Sequence, residues 1–369
     1  MHAKTLIIQE KVKTGLGAVR PSDFRIQVGK DIDAICVLQN PNLSLYCLDF
    51  ENQTALFVET PIGVDLSKAA FFYDAQFQNA TGLVEVPFET LHQLADQVAI
   101  DPAQIILIYS VGRCGSTLVS RAFNAVQDVD SISEPDVFTQ MMGQWGIEDF
   151  SRPHQAQLVR SCALLQCAPG LTRGATTCAL KFRSMVTEMG PLFHSVLPPA
   201  KVVFIYRKVV PFLKSFLRMI GSEDPDGLVP LDTIRHMFGR AIPVLDSEET
   251  ISDLEITTRM WARVMGRCLE MQSLNIPMFV FRYEELSHSP RLVLDALFEY
   301  CGIAADAVGD IDSVLAQDSQ AGSQLARETI AGPSAEFTSL HLEKIRSVMD
   351  LYTPSVSPDS IFPGTYFPV

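Results

Sequence analysis

Short apolar runs alternate with stretches of helical periodicity along the chain from residue 103 onward. Four of these runs are typical of buried strands: Ile105–Tyr109, Thr177–Phe182, Val202–Tyr206 and Met278–Phe281. Apolar positions at helical spacing predict helices at about Thr117–Ala125, His154–Gln166, Val209–Met219, Leu231–Val244 and Thr257–Leu274. Strands separated by helices are typical of an α/β fold, in which a central, mostly parallel sheet is covered on both faces.

The first 98 residues have a different pattern. Their apolar runs are short and are broken by polar turn segments, which favours antiparallel strands. The candidate strands are Ala34–Leu38, Leu43–Leu48, Thr54–Glu59 and Ala69–Tyr73, and a helix is predicted around Glu89–Ala99. We therefore expect a β-rich N-terminal module over residues 1–98, an α/β domain over 99–352 and an extended, proline-containing tail over 353–369. No residue pattern in the module indicates its role.

Composition narrows the class of protein further. A chain of 369 residues with 47% hydrophobic residues can bury a large core, and it contains no run of eighteen apolar residues that would span a membrane. The N-terminus lacks an apolar signal core, so we expect a cytoplasmic protein. The net charge of −14 disfavours a nucleic-acid partner. The eight cysteines form no CxxC pair, so neither a zinc site nor a disulfide framework is expected.

The strand at Ile105–Tyr109 leads directly into the segment Gly112-Arg113-Cys114-Gly115-Ser116-Thr117, at the start of a predicted helix. A strand–loop–helix of this kind presents backbone N–H groups at a helix N-terminus, where they bind anions. The two glycines allow a tight turn and a close approach of the backbone to an oxyanion. Ser116 and Thr117 add hydroxyl donors, and Arg113 adds a permanent positive charge. We interpret the segment as a phosphate-binding loop.

Two common kinds of phosphate loop fit this segment poorly. The nucleotide-binding pattern GxxxxGK[ST] would place Ser116 where its lysine belongs and Ser110 where its first glycine belongs. A cysteine phosphatase would use Cys114 as the nucleophile, with an arginine after five intervening residues, whereas Arg121 follows after six. Both departures fall on residues that define those loops.

Positive charge is concentrated in one window of this acidic chain. Between residues 181 and 218, seven basic residues stand against one acid, Glu188: Lys181, Arg183, Lys201, Arg207, Lys208, Lys214 and Arg218. Arg113, Lys181 and Arg207 each lie at or just after the end of a predicted strand, and ligands of α/β sheets bind at the carboxyl ends of the strands. The basic window therefore indicates a site for a multiply anionic ligand.

Over residues 103–305 the chain resembles the P-loop sulfotransferases that use 3′-phosphoadenosine 5′-phosphosulfate, in particular their bacterial-type members. The resemblance rests on the loop Gly112–Thr117, on the strand Lys201–Arg207 with Ser215 eight residues after its arginine, and on the segment Phe281–Leu286. It implies a P-loop NTPase-like, three-layer fold. It also implies that the loop, Cys114 included, holds the 5′-phosphosulfate, that Arg207 and Ser215 bind the 3′-phosphate, and that Tyr283 lies near the adenine.

The same resemblance implies two basic catalytic residues. Arg113 is expected near the 5′-phosphate and its bridging oxygen. Lys181 occupies the position of a strand-end lysine, although Phe182 and Arg183 replace the small residue and the proline that usually follow it. The migrating sulfuryl group carries less charge than a phosphoryl group, so basic side chains can neutralise the leaving phosphate and no metal is expected.

Sulfation of an acceptor hydroxyl also needs a general base, for which Glu134 is the first candidate. It lies in the segment Ser131–Asp136, where bacterial-type members of the family often have Ser-Glu-Pro. The alternative is that Glu134 caps or orients a helix, because a residue before proline favours a helix boundary. His154 and His194 are the other candidates for the base.

We therefore expect a sulfotransferase that moves a sulfuryl group to the hydroxyl or amine of a small-molecule, lipid or sugar acceptor. A small-molecule phosphotransferase using the same loop is one alternative, and it would bind ATP with Mg²⁺. A non-catalytic, nucleotide-binding scaffold is another, suggested by the unassigned N-terminal region and the altered lysine motif. The sequence leaves the acceptor and the oligomeric state open.

Overall fold

The computed structural model describes residues 1–13, 17–144, 152–230, 250–323, 325–326, 328–330, 336–352 and 356–368. Its strands are β1 His2–Lys11, β2 Phe24–Asp33, β3 Leu43–Asp49, β4 Thr54–Glu59, β5 Gly82–Pro87, β6 Ile105–Ser110, β7 Val129–Ser133, β8 Thr177–Lys181, β9 Lys201–Tyr206, β10 Leu228–Pro230, β11 Thr250–Ser252 and β12 Met278–Arg282. Its α-helices are α1 Cys36–Gln39, α2 Phe72–Asn79, α3 Phe88–Ala95, α4 Ser116–Phe123, α5 Val137–Met142, α6 Arg152–Thr172, α7 Gly190–Val196, α8 Val209–Met219, α9 Asp253–Ser273, α10 Tyr283–His288, α11 Pro290–Cys301, α12 Ile311–Ala316 and α13 Ser339–Tyr352. The helix predicted at Leu231–Val244 lies outside the described residues.

Two five-stranded sheets organise these elements. The N-terminal sheet is antiparallel and has the order β2-β1-β5-β4-β3. The central sheet has the order β12-β9-β6-β8-β7, is parallel and is flanked by helices. Every residue of β6 is buried, as expected for a strand covered on both faces. The predicted fold class, an α/β fold with a β-rich N-terminal extension, is confirmed.

The chain divides into two compact units. The first unit comprises Met1–Leu107, Phe123–Phe182 and Leu192–Lys201. The second unit comprises Ile108–Ala122, Arg183–Pro191 and Val202–Val369. The phosphate-loop candidate, Arg207, Ser215 and Tyr283 thus belong to the second unit, whereas Glu134 and Lys181 belong to the first.

Side-chain amides join the N-terminal sheet to helices of the first unit. The Gln140 side chain accepts from the backbone N–H of Leu48 at 2.8 Å and donates to the carbonyl of Leu48 at 2.6 Å. Gln166 on α6 donates to the carbonyl of Leu45 at 3.0 Å. These bonds satisfy buried backbone groups of β3, which would otherwise lose their hydrogen bonds to water without replacement.

The local predictions succeed mainly where strands are buried on both faces. The four strands predicted after residue 103 are confirmed as β6, β8, β9 and β12, and the helix predicted at Val209–Met219 is confirmed as α8. The strand predicted at Ala34–Leu38 is wrong, because residues 36–39 form α1. The strand predicted at Ala69–Tyr73 is also wrong, because α2 begins at Phe72. A short apolar run alone does not distinguish a strand from one turn of buried helix.

All eight cysteines are free thiols, and seven of them are buried. Among the described residues, no helix has the length and apolar character needed to cross a membrane.

Candidate functional site

The loop after β6 has an unusual backbone conformation. Gly112, Arg113 and Gly115 have φ angles of 81°, 51° and 80°. Positive φ is uncommon for a residue with a Cβ, so Arg113 is held by its surroundings in a sparsely populated conformation. Helix α4 begins immediately afterwards, at Ser116, and the first N–H groups of a helix have no partner within it. A left-handed loop that leads into a helix N-terminus is a suitable cradle for an anion.

Gly115 also lies close to the start of α10. A Cβ atom at this position would be 3.1 Å from Leu286 Cδ2 and 3.2 Å from Tyr283 Cδ2. Only glycine therefore suits both the backbone conformation and the space at this position.

We expect Gly115→Ala to lower the free energy of unfolding by about 1 kcal/mol more than Gly221→Ala does. Gly221 is a matched control, since its φ is 69° and a Cβ there would meet no atom of the described residues within 4 Å. Both variants place a residue with a Cβ in the left-handed conformation, which is strained, but only Gly115→Ala also crowds Tyr283 and Leu286. Chemical denaturation measures both values, and equal losses would contradict the close contact.

Three of the predicted site residues contact one another in the second unit. Arg113 Nε donates to Ser215 Oγ at 3.2 Å. Arg207 Nη1 donates to the carbonyl oxygen of Arg113 at 3.0 Å. Ser215 therefore bonds to the arginine of the loop, and Arg207 bonds to the loop backbone. Ser215 lies on α8 and Arg207 follows β9, so one strand–helix unit carries both residues to the loop.

Tyr283 completes this group from the end of β12. The Arg207 guanidinium carbon lies 4.5 Å from the centre of the Tyr283 ring, a cation–π contact. Trp261 on α9 donates its indole N–H to the carbonyl of Arg207 at 3.0 Å and is 2% exposed. The sequence assigns no chemistry to Trp261, and no local pattern marks it as a residue that fixes the Arg207 backbone.

The charges of this site are not balanced within the described part of the chain. Among the described residues, none of Arg113, Arg207, Lys214 and Arg218 forms an ion pair with a carboxylate. Burial, followed by the positive charges of Arg207 and Arg218, lowers the pKa of Arg113. The Nε atom of Arg207 is buried and has no hydrogen-bond partner among the described residues. Guanidinium groups that have no carboxylate partner in the described ranges and lie beside a glycine cradle fit a ligand with more than one anionic group.

Two residues of the C-terminal half contact α4. Gln320 Nε2 donates to Thr117 Oγ1 at 3.1 Å, and Arg121 Nη1 donates to the carbonyl of Asp318 at 3.1 Å. Gln320 is a further residue that the sequence did not single out.

The contacts of Cys114 and Arg121 do not fit a cysteine phosphatase. Cys114 is completely buried, and its thiol contacts the carbonyl of Ile205. A cysteine phosphatase requires a reactive thiol paired with an arginine, whereas this thiol points at a carbonyl and Arg121 is bound to Asp318.

The other two catalytic candidates form an ion pair in the first unit. Lys181 Nζ lies 2.5 Å from Glu134 Oε1, and the side chains are 4% and 14% exposed. The Glu134 N–H also donates to the carbonyl of Lys181 at 2.6 Å. Glu134 has a φ of 63°, a strained conformation for a residue with a Cβ. The ends of the paired strands β7 and β8 therefore hold a preorganised carboxylate and ammonium group.

Glu188 and His154 have partners, whereas one ring nitrogen of His194 has none among the described residues. Glu188, the single acid of the basic window, binds Arg263 Nε at 2.6 Å and Arg267 Nη2 at 2.7 Å, so it is neutralised by α9. The ring centroid of His154 lies 6.2 Å from that of Phe88, and His194 Nδ1 is buried without a hydrogen-bond partner among the described residues. Within the described ranges, no group of His, Cys, Asp and Glu side chains is arranged to hold a metal ion.

A comparison with family models found no match, and a comparison with curated proteins found none either. Among solved structures, a sulfotransferase from Alicyclobacillus acidocaldarius is similar at 13% identity and a TM-score of 0.39, over 67% of this chain and 94% of that one. The sulfotransferase domain of the curacin biosynthetic pathway is similar at 14% identity and a TM-score of 0.37, over 70% and 93%. The sulfotransferase domain of the Synechococcus PCC 7002 olefin synthase is similar at 12% identity and a TM-score of 0.35, over 69% and 95%. At these values, the activity of this chain has to be inferred from its own residues.

Proposed function

We propose that this protein is a cytoplasmic sulfotransferase that moves a sulfuryl group from 3′-phosphoadenosine 5′-phosphosulfate to a hydroxyl or amine of a small-molecule, lipid or sugar acceptor. The observation that carries the proposal is the contact between Arg113, Arg207 and Ser215 beside the glycine loop. A nucleotide with phosphates at both its 3′ and 5′ positions needs two linked anion sites, and these residues supply them. Neither of the glycines that shape the loop could carry a side chain without strain.

Each residue of the second unit has a distinct role in this proposal. The loop amides and the hydroxyls of Ser116 and Thr117 bind the 5′-phosphate, and Arg113 neutralises charge on its bridging oxygen. Arg207 offers two N–H groups as a fork to the 3′-phosphate, with Ser215 as a hydroxyl partner. Tyr283 provides an aromatic face for the adenine. When bound, the nucleotide supplies the sulfuryl group, and these fixed donors stabilise the charge that develops on the leaving phosphate.

Glu134 is the proposed general base, which accepts the proton of the acceptor hydroxyl. Lys181 is the proposed cationic residue that contacts the transferred sulfuryl group. Their ion pair supports the proposal in one respect, because it holds the Glu134 carboxylate in a defined position. His154 and His194 are weaker candidates for the base, since the His154 ring packs against Phe88 and the Nδ1 atom of His194 is buried.

A binding titration with 3′,5′-adenosine bisphosphate, AMP and ADP tests the nucleotide assignment. We expect the bisphosphate to bind at least tenfold more tightly than AMP, because only the bisphosphate can engage Arg207 and Ser215, and tenfold corresponds to about 1.4 kcal/mol. Isothermal titration calorimetry at one fixed ionic strength gives the three dissociation constants. Equal affinity for AMP and the bisphosphate would contradict the assignment of the 3′-phosphate site. Tight binding of ADP that depends on Mg²⁺ would instead favour the phosphotransferase.

A further inference from the structure

A short C-terminal segment lies along the outer edge of the central sheet. This segment, Phe362–Phe367, is called the C-terminal clamp below. Thr365 forms a parallel bridge with Val280 of β12, and the N–H of Tyr366 donates to the carbonyl of Val280 at 2.7 Å. Since β12 is the last strand of the sheet, the clamp covers an edge that would otherwise leave backbone groups unpaired.

The clamp also holds the last residue of β9 through a closed set of hydrogen bonds. The N–H of Phe362 donates to Tyr206 Oη at 3.0 Å, and Thr365 Oγ1 donates to the carbonyl of Phe362 at 2.7 Å. Because the Thr365 proton is already used, the Tyr206 hydroxyl is the donor in its 2.8 Å bond to Thr365 Oγ1. The Phe362 ring lies 5.7 Å from the Tyr206 ring and is 2% exposed. These contacts fix the end of β9 firmly.

The last residue of β12 is held in a similar way. The Arg282 guanidinium lies 5.1 Å from the centre of the Phe367 ring, and Arg282 also forms an ion pair with Glu285. Arg282 is therefore restrained from the clamp and from the first turn of α10 at the same time.

The two restrained residues directly precede the two residues that form the cation–π contact of the candidate site. Tyr206 precedes Arg207, and Arg282 precedes Tyr283. Successive side chains of a strand point to opposite faces, so the clamp can hold Tyr206 without blocking Arg207. A shift in the end of either strand would move Arg207 relative to Tyr283 and to the carbonyl of Arg113.

We infer that the C-terminal clamp is a positioning element for recognition of the nucleotide 3′-phosphate. It binds no part of the nucleotide. It acts through Tyr206 and Arg282, which set the positions of Arg207 and Tyr283. This inference rests on the proposed function, because the 3′-phosphate is the group that Arg207 is proposed to bind.

Tyr206→Phe tests the inference, because it removes one hydroxyl and with it two of the three side-chain hydrogen bonds that join Tyr206, Phe362 and Thr365. We expect the affinity for 3′,5′-adenosine bisphosphate to fall about three- to tenfold, as for the loss of one net hydrogen bond, while the affinity for AMP changes less than about twofold. Thr365→Val should act in the same direction, and Thr365→Ser, which keeps the hydroxyl, should restore the wild-type ratio of the two affinities. Tyr300→Phe is the matched control: it removes a tyrosine hydroxyl that bonds to the carbonyl of Pro277 near β12, outside the clamp.

The outcomes separate the two proposals. If the wild-type protein does not prefer the bisphosphate to AMP, both the proposed function and the role of the clamp are wrong. If the wild-type protein shows the preference and Tyr206→Phe leaves it unchanged, the clamp inference alone is wrong. Equal losses of affinity for both ligands, with a lower thermal midpoint, would assign the clamp a merely structural role and also overturn the inference.

Discussion

Replacing Lys181 with methionine should lower the free energy of unfolding by about 3–5 kcal/mol, the loss typical of removing one partner from a buried ion pair. Lys181 is 4% exposed, and its ammonium group lies 2.5 Å from the Glu134 carboxylate. The variant keeps most of the side-chain volume but leaves the mostly buried Glu134 carboxylate without the Lys181 ammonium group. The cost therefore comes mainly from the charge that remains.

Urea denaturation of the single and double variants measures this effect. We expect Lys181→Met with Glu134→Gln to recover most of the loss, because the double variant removes both charges of the pair. Arg160→Met is the control in the same unit, since the Arg160–Asp96 pair is 42% and 66% exposed. Exposed pairs contribute about 0–1 kcal/mol, so this control should change stability little. An equally small loss of stability in Lys181→Met would contradict the prediction, because it would show that the pair with Glu134 contributes little to the free energy of unfolding.

Replacing Arg207 with alanine should weaken the binding of 3′,5′-adenosine bisphosphate by about 2–3 kcal/mol, or about 30- to 150-fold. The physical reason is the loss of charge-assisted hydrogen bonds from a guanidinium whose Nε is buried and has no partner among the described residues. AMP lacks the 3′-phosphate, so its affinity should fall much less than that of the bisphosphate.

Calorimetric titration of Arg207→Ala gives both affinities, and Lys208→Ala is the matched control. Lys208 is the next residue and carries the same charge, but its ammonium group lies 3.8 Å from the exposed carboxylate of Asp359. We expect the control to bind the bisphosphate within about twofold of the wild type, as for a weak exposed pair. A loss below tenfold in Arg207→Ala, about 1.4 kcal/mol, would count against a 3′-phosphate site at Arg207.

The predictability of each strand follows from how it is buried. Strands β6 and β9 are buried almost throughout, so their sequences are continuous runs of apolar residues. Strand β7 was missed because its buried positions include the polar residues Asp130, Ser131 and Ser133. Arg173 donates to the Asp130 carboxylate, and the Ser133 hydroxyl donates to the carbonyl of Ala70. Strands β1 and β2 were missed because most of their side chains are at least partly exposed, so neither has a clear alternating pattern.

The candidate site was only partly predictable for a related reason. Arg113, Arg207 and Ser215 were predicted to share one site, and the structure brings them into contact. Their pairing differs from the simplest expectation, since Ser215 bonds to Arg113 rather than to Arg207. Trp261, which bonds to the carbonyl of Arg207, and Phe362, which bonds to the Tyr206 hydroxyl, hold the backbone around Arg207 from distant parts of the chain. No local pattern identifies such contacts, because they join residues far apart in the sequence.

The sequence by itself determined the strand–loop–helix at residues 105–123 and the α/β class of the fold. Both depend on local physics: apolar periodicity selects strands and helices, and Gly112 and Gly115 permit the left-handed turn between them. Only the tertiary structure decided that Glu134 is paired with Lys181, that Arg113 meets Ser215, and that Phe362–Phe367 holds the strand ends. These arrangements depend on which buried charges and hydrogen-bonding groups find partners when the chain packs, and distance along the sequence does not limit those partners.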